Sequence, residues 1–210
     1  MNTLTKKAIA VAVTIGALIL IYYGAYLPIR KSQIYIYAYS VSPSLHSLDD
    51  FNRVFDAALD FYSPVGQEEL VNGYLRTTID ILSQKKTPDK EVIDALVSQA
   101  DKRTEPLLSE PGGFSYSQTF VNLALIYKYA GAATHNRAYS QRAIGLLEQG
   151  LSHSPNRPVF LYNLLDLYLG TGDLNNAKIV SGTILHFWPD DQEVQRIMSM
   201  IGSAITIPAK

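Results

Sequence analysis

The side chains best suited to hold a metal or move a proton are four histidines, His46, His135, His153 and His186, and three carboxylate pairs, Asp49 with Asp50, Glu68 with Glu69, and Asp190 with Asp191. A metal site draws its ligands from neighbouring helix turns or converging loops. The histidines are too scattered for that, no HExxH motif or glycine-rich phosphate loop occurs, and the lack of cysteine removes thiolate chemistry, disulfides and cysteine-based zinc sites together. Members of each carboxylate pair are adjacent in sequence, so they do not share a helix face and are poorly placed to divide general-acid and general-base work. All three pairs stand where a helix is expected to begin, at the positive end of its dipole. His153 and His186 stand where helices are expected to end, beside carbonyls left without partners. These residues read as helix punctuation. The chain is expected to be non-enzymatic, with no metal and no cofactor.

The helices so punctuated carry one pattern of large and small residues laid down twice between Phe120 and Pro189. The first copy has Phe120, Leu123, Ala124, Tyr127 and Gly131, then Ala143, Leu147, Gly150, Leu151 and Pro155; the second has Leu161, Leu164, Leu165, Tyr168 and Gly172, then Ala177, Ile184, Leu185 and Pro189. Spacings of three and four put Phe120, Leu123 and Tyr127 on one helix face that must find a partner. Ala143 and Ala177 let a second helix cross closely. Gly131 and Gly172 can take the left-handed conformation that ends a helix, and Pro155 and Pro189 stop the second helix. Tyr127 and Tyr168 lie 41 positions apart and Pro155 and Pro189 lie 34 apart, so the first copy holds seven extra residues, expected as a long turn over 132–142.

A 34-residue unit in this order resembles the tetratricopeptide repeat, TPR, over about 70 residues, with Ser181 departing from the pattern where a large residue belongs. The resemblance implies an all-α solenoid of antiparallel helix hairpins whose first helices line a concave groove. In this register Gln118, Val121, Asn122, Leu125, Lys128 and Tyr129 from one copy, and Val159, Tyr162, Asn163, Asp166 and Leu169 from the next, approach the groove. Asn122 and Asn163 take equivalent positions. TPR grooves that grip a peptide carboxylate also use asparagine there, but they need basic partners and only Lys128 is available on this face, which disfavours a carboxylate clamp. The asparagines bonding neighbouring backbone is the simpler reading. Together with Tyr129 and Tyr162 they equally suit an extended peptide or a sugar, since rings stack and amides both donate and accept.

Upstream, Lys6 and Lys7 precede an uncharged run from Ala8 to Leu27, twenty residues or about 30 Å of helix, the thickness of a bilayer core. This predicts a single transmembrane helix in contact with lipid. Tyr22, Tyr23 and Tyr26 stand at headgroup level at its far end, and Pro28, Arg30 and Lys31 mark the exit. A cleaved signal peptide is the competing reading, and it would place bulky Tyr23 three residues before a cut after Ala25. Two basic residues flank each end, so only the free amino terminus tips the count toward an inside N-terminus. Ser32–Val41 favours a strand by propensity, but no second strand is available, and a helix continuing from the membrane is expected. Ser47 caps a helix carrying Phe51, Phe55 and Leu59. Another helix covers Gln67–Ser83, a third starts at Thr87 and Pro88, and 105–113 reads as a loop. The organisation is therefore an anchor over 1–31, irregular hairpins over 32–113, two repeats over 114–189, and a capping helix with a loose tail from Ile205 over 190–210.

The span ending LPIRKS, the helix DDFNRVFDAALDFYSPVGQEELV and the run RAIGLLEQGLSHSPNRPVFLYNLLDLYLGTGDLNNA are similar to the last membrane helix and C-terminal TPR region of bacterial O-antigen ligase or polymerase-like membrane proteins. The resemblance implies repeats on the extracytoplasmic side and assigns no catalytic residue, because that family's glycan chemistry sits on membrane helices this chain lacks. Two functions are expected from it. One is a membrane-anchored scaffold binding an envelope protein in surface-glycan or surface-filament assembly. The other is a detached accessory part of a glycan transferase. A cytoplasmic adaptor of reversed topology is a third option. A net charge of -1 offers no general attraction to nucleic acid.

Overall fold

A run of twenty residues without a charge must satisfy its own backbone if it meets lipid, and a helix does so within one segment. The computed structural model describes residues 2–45, 47–84, 88–109 and 116–206, and every regular element in them is helical. Helix α1 (Thr3–Ile21) passes through one π turn (Tyr22–Tyr26) into α2 (Leu27–Val41) and a closing 3-10 turn (Ser42–Ser44). Its apolar N-terminal part is long enough to cross a membrane, and the side chains there are exposed in the isolated chain. Pro28 has no N–H for the Gly24 carbonyl, and the wider turn lies directly before it. The helix expected over Ser32–Val41 is present as the C-terminal part of α2.

Two compact units divide the chain, residues 1–74 and 75–210. In the first, α2 packs on α3 (Leu48–Leu59), whose start is fixed by the Ser47 hydroxyl accepting the Asp50 N–H at 3.1 Å. The core is aromatic. Phe51 and Phe55 lie 4.7 Å apart between ring centres, Tyr74 from α4 (Gln67–Leu82) lies 5.7 and 5.5 Å from them, and Tyr35 closes the cluster at 6.2 Å from Phe55. Each such pair adds about 0.5–1.5 kcal/mol beyond simple burial. Lys31 ties the stem to the α3–α4 corner: its buried Nζ donates to the Phe61 carbonyl at 2.9 Å and to the Gln67 side-chain oxygen.

The second unit holds α5 (Lys90–Ser109), α6 (Tyr116–Thr134), α7 (Arg137–His153), α8 (Pro158–Thr171), α9 (Leu174–Phe187) and α10 (Gln192–Thr206), each packed on the next, with α6 also reaching α8. Phe120, Leu123, Leu161 and Leu164 are buried as the stripe requires, and so are Ala143 and Ala177. Three boundaries differ from the sequence reading. Helix α5 begins at Lys90 instead of Pro88, since the Asp89 carbonyl accepts the first intrahelical bonds from Val92 and Ile93, at 3.0 Å each; Thr87 lies outside the described residues. It also continues through Pro106 to Ser109 where a loop was expected, because Pro106 and Lys102, whose bond is lost, are on the exposed side where water replaces it. Helix α10 reaches Thr206, beyond the start expected for a loose tail.

The fourth difference concerns the seven extra residues. They form no long turn. Helix α6 runs from Tyr127 on to Thr134, whereas α8 runs from Tyr168 only to Thr171, which accounts for four of them. Helix α7 starts six residues before Ala143 and α9 three before Ala177, which accounts for the remaining three. Both hairpins then close through the same two-residue turn. His135 (φ 53°) and Gly172 (φ 77°) take its left-handed position, while Asn136 and Asp173 cap the next helix through the N–H groups of Ala138 and Asn176. Gly131, expected to end its helix, is instead buried inside α6. A Cβ there would stand 2.8 Å from the Ser140 hydroxyl and 3.2 Å from its backbone nitrogen, so the glycine serves the close approach of α7.

Candidate partner-binding face

Four phenols join neighbouring helices of the second unit through carboxylates. Tyr127 of α6 donates to Asp101 of α5 at 2.5 Å, Tyr168 of α8 to Glu148 of α7 at 2.7 Å, Tyr139 of α7 to Asp94 of α5 at 2.6 Å, and Tyr162 of α8 to Asp191 before α10. Burial first, and then the carboxylate, pushes the Tyr127 and Tyr168 phenols up. The hydrogen bond to Asp94 is the larger cause for Tyr139, pushed up to about 12, and that to Asp191 does the same for Tyr162, also to about 12. The bonds of Tyr127 and Tyr168 fix the first helix of each hairpin against its predecessor, while those of Tyr139 and Tyr162 tie α7 to α5 and α8 to the start of α10.

Lys128 of α6 and Asp166 of α8 form an ion pair, and the Lys128 ammonium also lies 5.8 Å from the centre of the Tyr129 ring. Gln118 donates through Nε2 to the Asn122 amide oxygen at 2.9 Å, one turn along α6. Asn122 is buried, and Leu125 and Tyr129 are half-buried. Asn163 donates to the Val159 carbonyl of its own helix at 2.7 Å, the backbone bond expected for it. The equivalent positions of Asn122 and Asn163 thus have different surroundings: one lies under the Gln118 side chain, the other is half-buried beside an open Tyr162.

Tyr162 and its neighbours form the most exposed part of the face. Its ring lies 6.2 Å from Trp188, while its hydroxyl meets Asp191. Asp191 has a second task, because its Oδ1 accepts the Val194 N–H at 3.0 Å and caps α10. The Tyr162 hydrogen bond first, and that backbone bond second, hold its carboxyl below the usual carboxylate range. Of the acidic pair at 190 and 191, Asp191 therefore supplies the cap. The Trp188 and Asp191 contacts have no signal in local pattern, because they arise where α9 returns its end beside the start of α8.

A second feature was not foreseen. The ion pair of Lys128 and Asp166 borders a cleft of about 880 Å³ that continues past Gly131, His135, Ser140 and Leu167. The extra turn on α6 and α7 overhangs the shorter α8 and leaves this space, so the seven-residue difference between the two copies was its signal. Of the histidines, His153 donates through Nδ1 to the Gln149 carbonyl at 2.8 Å at the end of α7, as expected, and His186 lies with its ring 5.2 Å from Phe187; His46 is outside the described residues.

No protein-family model, curated protein or solved structure matches the chain.

Proposed function

We propose that this chain is a membrane-anchored scaffold of the TPR type, which binds an envelope protein on the extracytoplasmic side during assembly of a surface glycan or filament. The observation that carries the reading is the equivalence of the two hairpins: Tyr127 and Tyr168 make the same bond to the preceding helix, and both hairpins close through the same capped turn. Stacked hairpins of this kind align their first helices, and the surface so formed is a binding surface in repeat proteins. Around Tyr162 that surface combines an aromatic ring, a half-buried amide at Asn163 and the charges of Lys128 and Asp166, which suits an extended peptide. The apolar N-terminal helix supplies the anchor.

A photoreactive phenylalanine at position 162, in cells, tests the reading. A defined protein adduct is expected from that position and none from position 179, whose isoleucine is exposed on α9. Identical adducts from both positions, or none from either, would overturn it. An adduct with a polytopic membrane protein would favour the reading of the chain as an accessory part of a glycan transferase. Protease added to intact spheroplasts should cut residues 116–206; digestion only after lysis would reverse the topology.

A further inference from the structure

In the first unit, the α3–α4 corner, residues 60–66, comes back beside the end of the apolar span. Phe61 and Tyr62 line a notch of about 390 Å³ together with Tyr22, Tyr23, Tyr26 and Arg30. Tyr22 and Tyr26 are stacked at 5.5 Å and Tyr22 meets Tyr23 edge-on at 5.2 Å, so one wall of the notch is the tyrosine belt of the stem. The opposite wall is 67% exposed at Tyr62, and Val65 of the same corner is 59% exposed. Both stand on the corner that faces the stem's tyrosine belt. Both become ordinary if the corner lies in the headgroup layer, where amphipathic rings are favoured.

Height along the stem agrees. Lys31, four residues beyond Leu27, binds the Phe61 carbonyl and so pins the corner about 6 Å above the end of the apolar run. The headgroup layer is roughly 5–8 Å deep on each side of the hydrocarbon. At the same level Arg30 spends one guanidinium donor on the Gln33 side chain at 3.1 Å. A guanidinium carries five donors in a fork that matches phosphate.

Resting on the reading of the N-terminal helix as a membrane span, we infer that the α3–α4 corner is a second membrane contact, and that the notch takes the headgroup of a phospholipid, its phosphate on Arg30 and its glycerol end against the tyrosine rings. The contact fixes the first unit at the bilayer surface through two elements instead of one.

The chain has no cysteine, so single cysteines introduced into it carry unique nitroxide labels. We would reconstitute Gly16→Cys, Ser40→Cys, Tyr62→Cys and Val65→Cys in phosphatidylethanolamine–phosphatidylglycerol vesicles and compare collisional relaxation by oxygen and by a water-soluble nickel chelate. Position 16 should read as hydrocarbon and position 40 as water. Positions 62 and 65 should show an oxygen-to-nickel ratio several-fold above that of position 40. If they match position 40 while position 16 is in lipid, the corner contact is wrong and the anchor stands; if position 16 also reads as water, the anchor reading fails first. Separately, the Arg30 Cζ carbon should be dephased by lipid phosphorus in solid-state NMR. No dephasing would overturn the phosphate contact.

Discussion

Tyr127 and Tyr168 occupy the same place in successive hairpins: each is a buried ring on the first helix, and each gives its hydroxyl hydrogen to a carboxylate of the helix before, Asp101 or Glu148. Replacing either by phenylalanine keeps the ring and removes one charge-assisted hydrogen bond, so each variant should lose about 1.5–3 kcal/mol in urea unfolding followed by circular dichroism. Both phenols are pushed up in the folded chain, so the folded state favours their neutral form. Their contribution is complete below the ordinary tyrosine value of about 10 and fades as pH rises above it. Unfolding midpoints should fall with alkali beyond that point, and less steeply in the double Tyr→Phe variant.

Glycines separate the helices at one crossing and are idle at another. A Cβ on Gly150 would lie 2.3 Å from the fully buried Phe160 ring, whereas one on Gly145 would meet nothing within 4 Å. Gly150→Ala should therefore destabilise by about 1–3 kcal/mol despite the better helix propensity of alanine. Gly145→Ala should stabilise by about 0.5–1 kcal/mol. The same urea titration reads both signs.

The two hairpin turns place different residues, a histidine and a glycine, at one left-handed backbone position. His135 holds φ 53° with a side chain that disfavours it, and Gly172 holds φ 77° without cost. His135→Gly should raise stability by about 0.5–1 kcal/mol, and Gly172→Ala should lower it by about 1 kcal/mol. Opposite shifts in thermal midpoint would establish that the turns share one conformation.

Acid should loosen the closing helix. Asp191 is held below the usual range by Tyr162 and the Val194 N–H, so its support is present above the unfolded carboxylate value of about 3.9 and is lost as pH falls through its lower folded value. Trp188, the single tryptophan, lies beside Tyr162 and its emission should change in that window. Asp191→Asn keeps an oxygen for the cap and should abolish the change.

Much of this was written in local pattern. Spacing of three and four marked the buried face of α6 and α8, Ser47 announced the start of α3, and the uncharged run announced the stem, because each signal acts within one turn or one segment. What escaped depended on contacts between segments. Gly131 carries the same letter as Gly172 and has the opposite use, since only the position of Ser140 distinguishes a crossing from a turn. Pro106 looked like a stop, yet it sits on a wet face where its missing bond is tolerated. The candidate face was legible as Lys128, Tyr162 and Asn163, but not its continuation to Trp188 and Asp191, residues brought there by the return of α9.

The four residues added to α6 and the three added to α7 come to about one helical turn each. Growth in such matched steps leaves every side chain nearer the base in phase with its neighbours, so the hairpin tip can be lengthened or trimmed without recutting the core. Reach over the cleft beside α8 is thereby a property that evolution, or a designer, can adjust independently of folding.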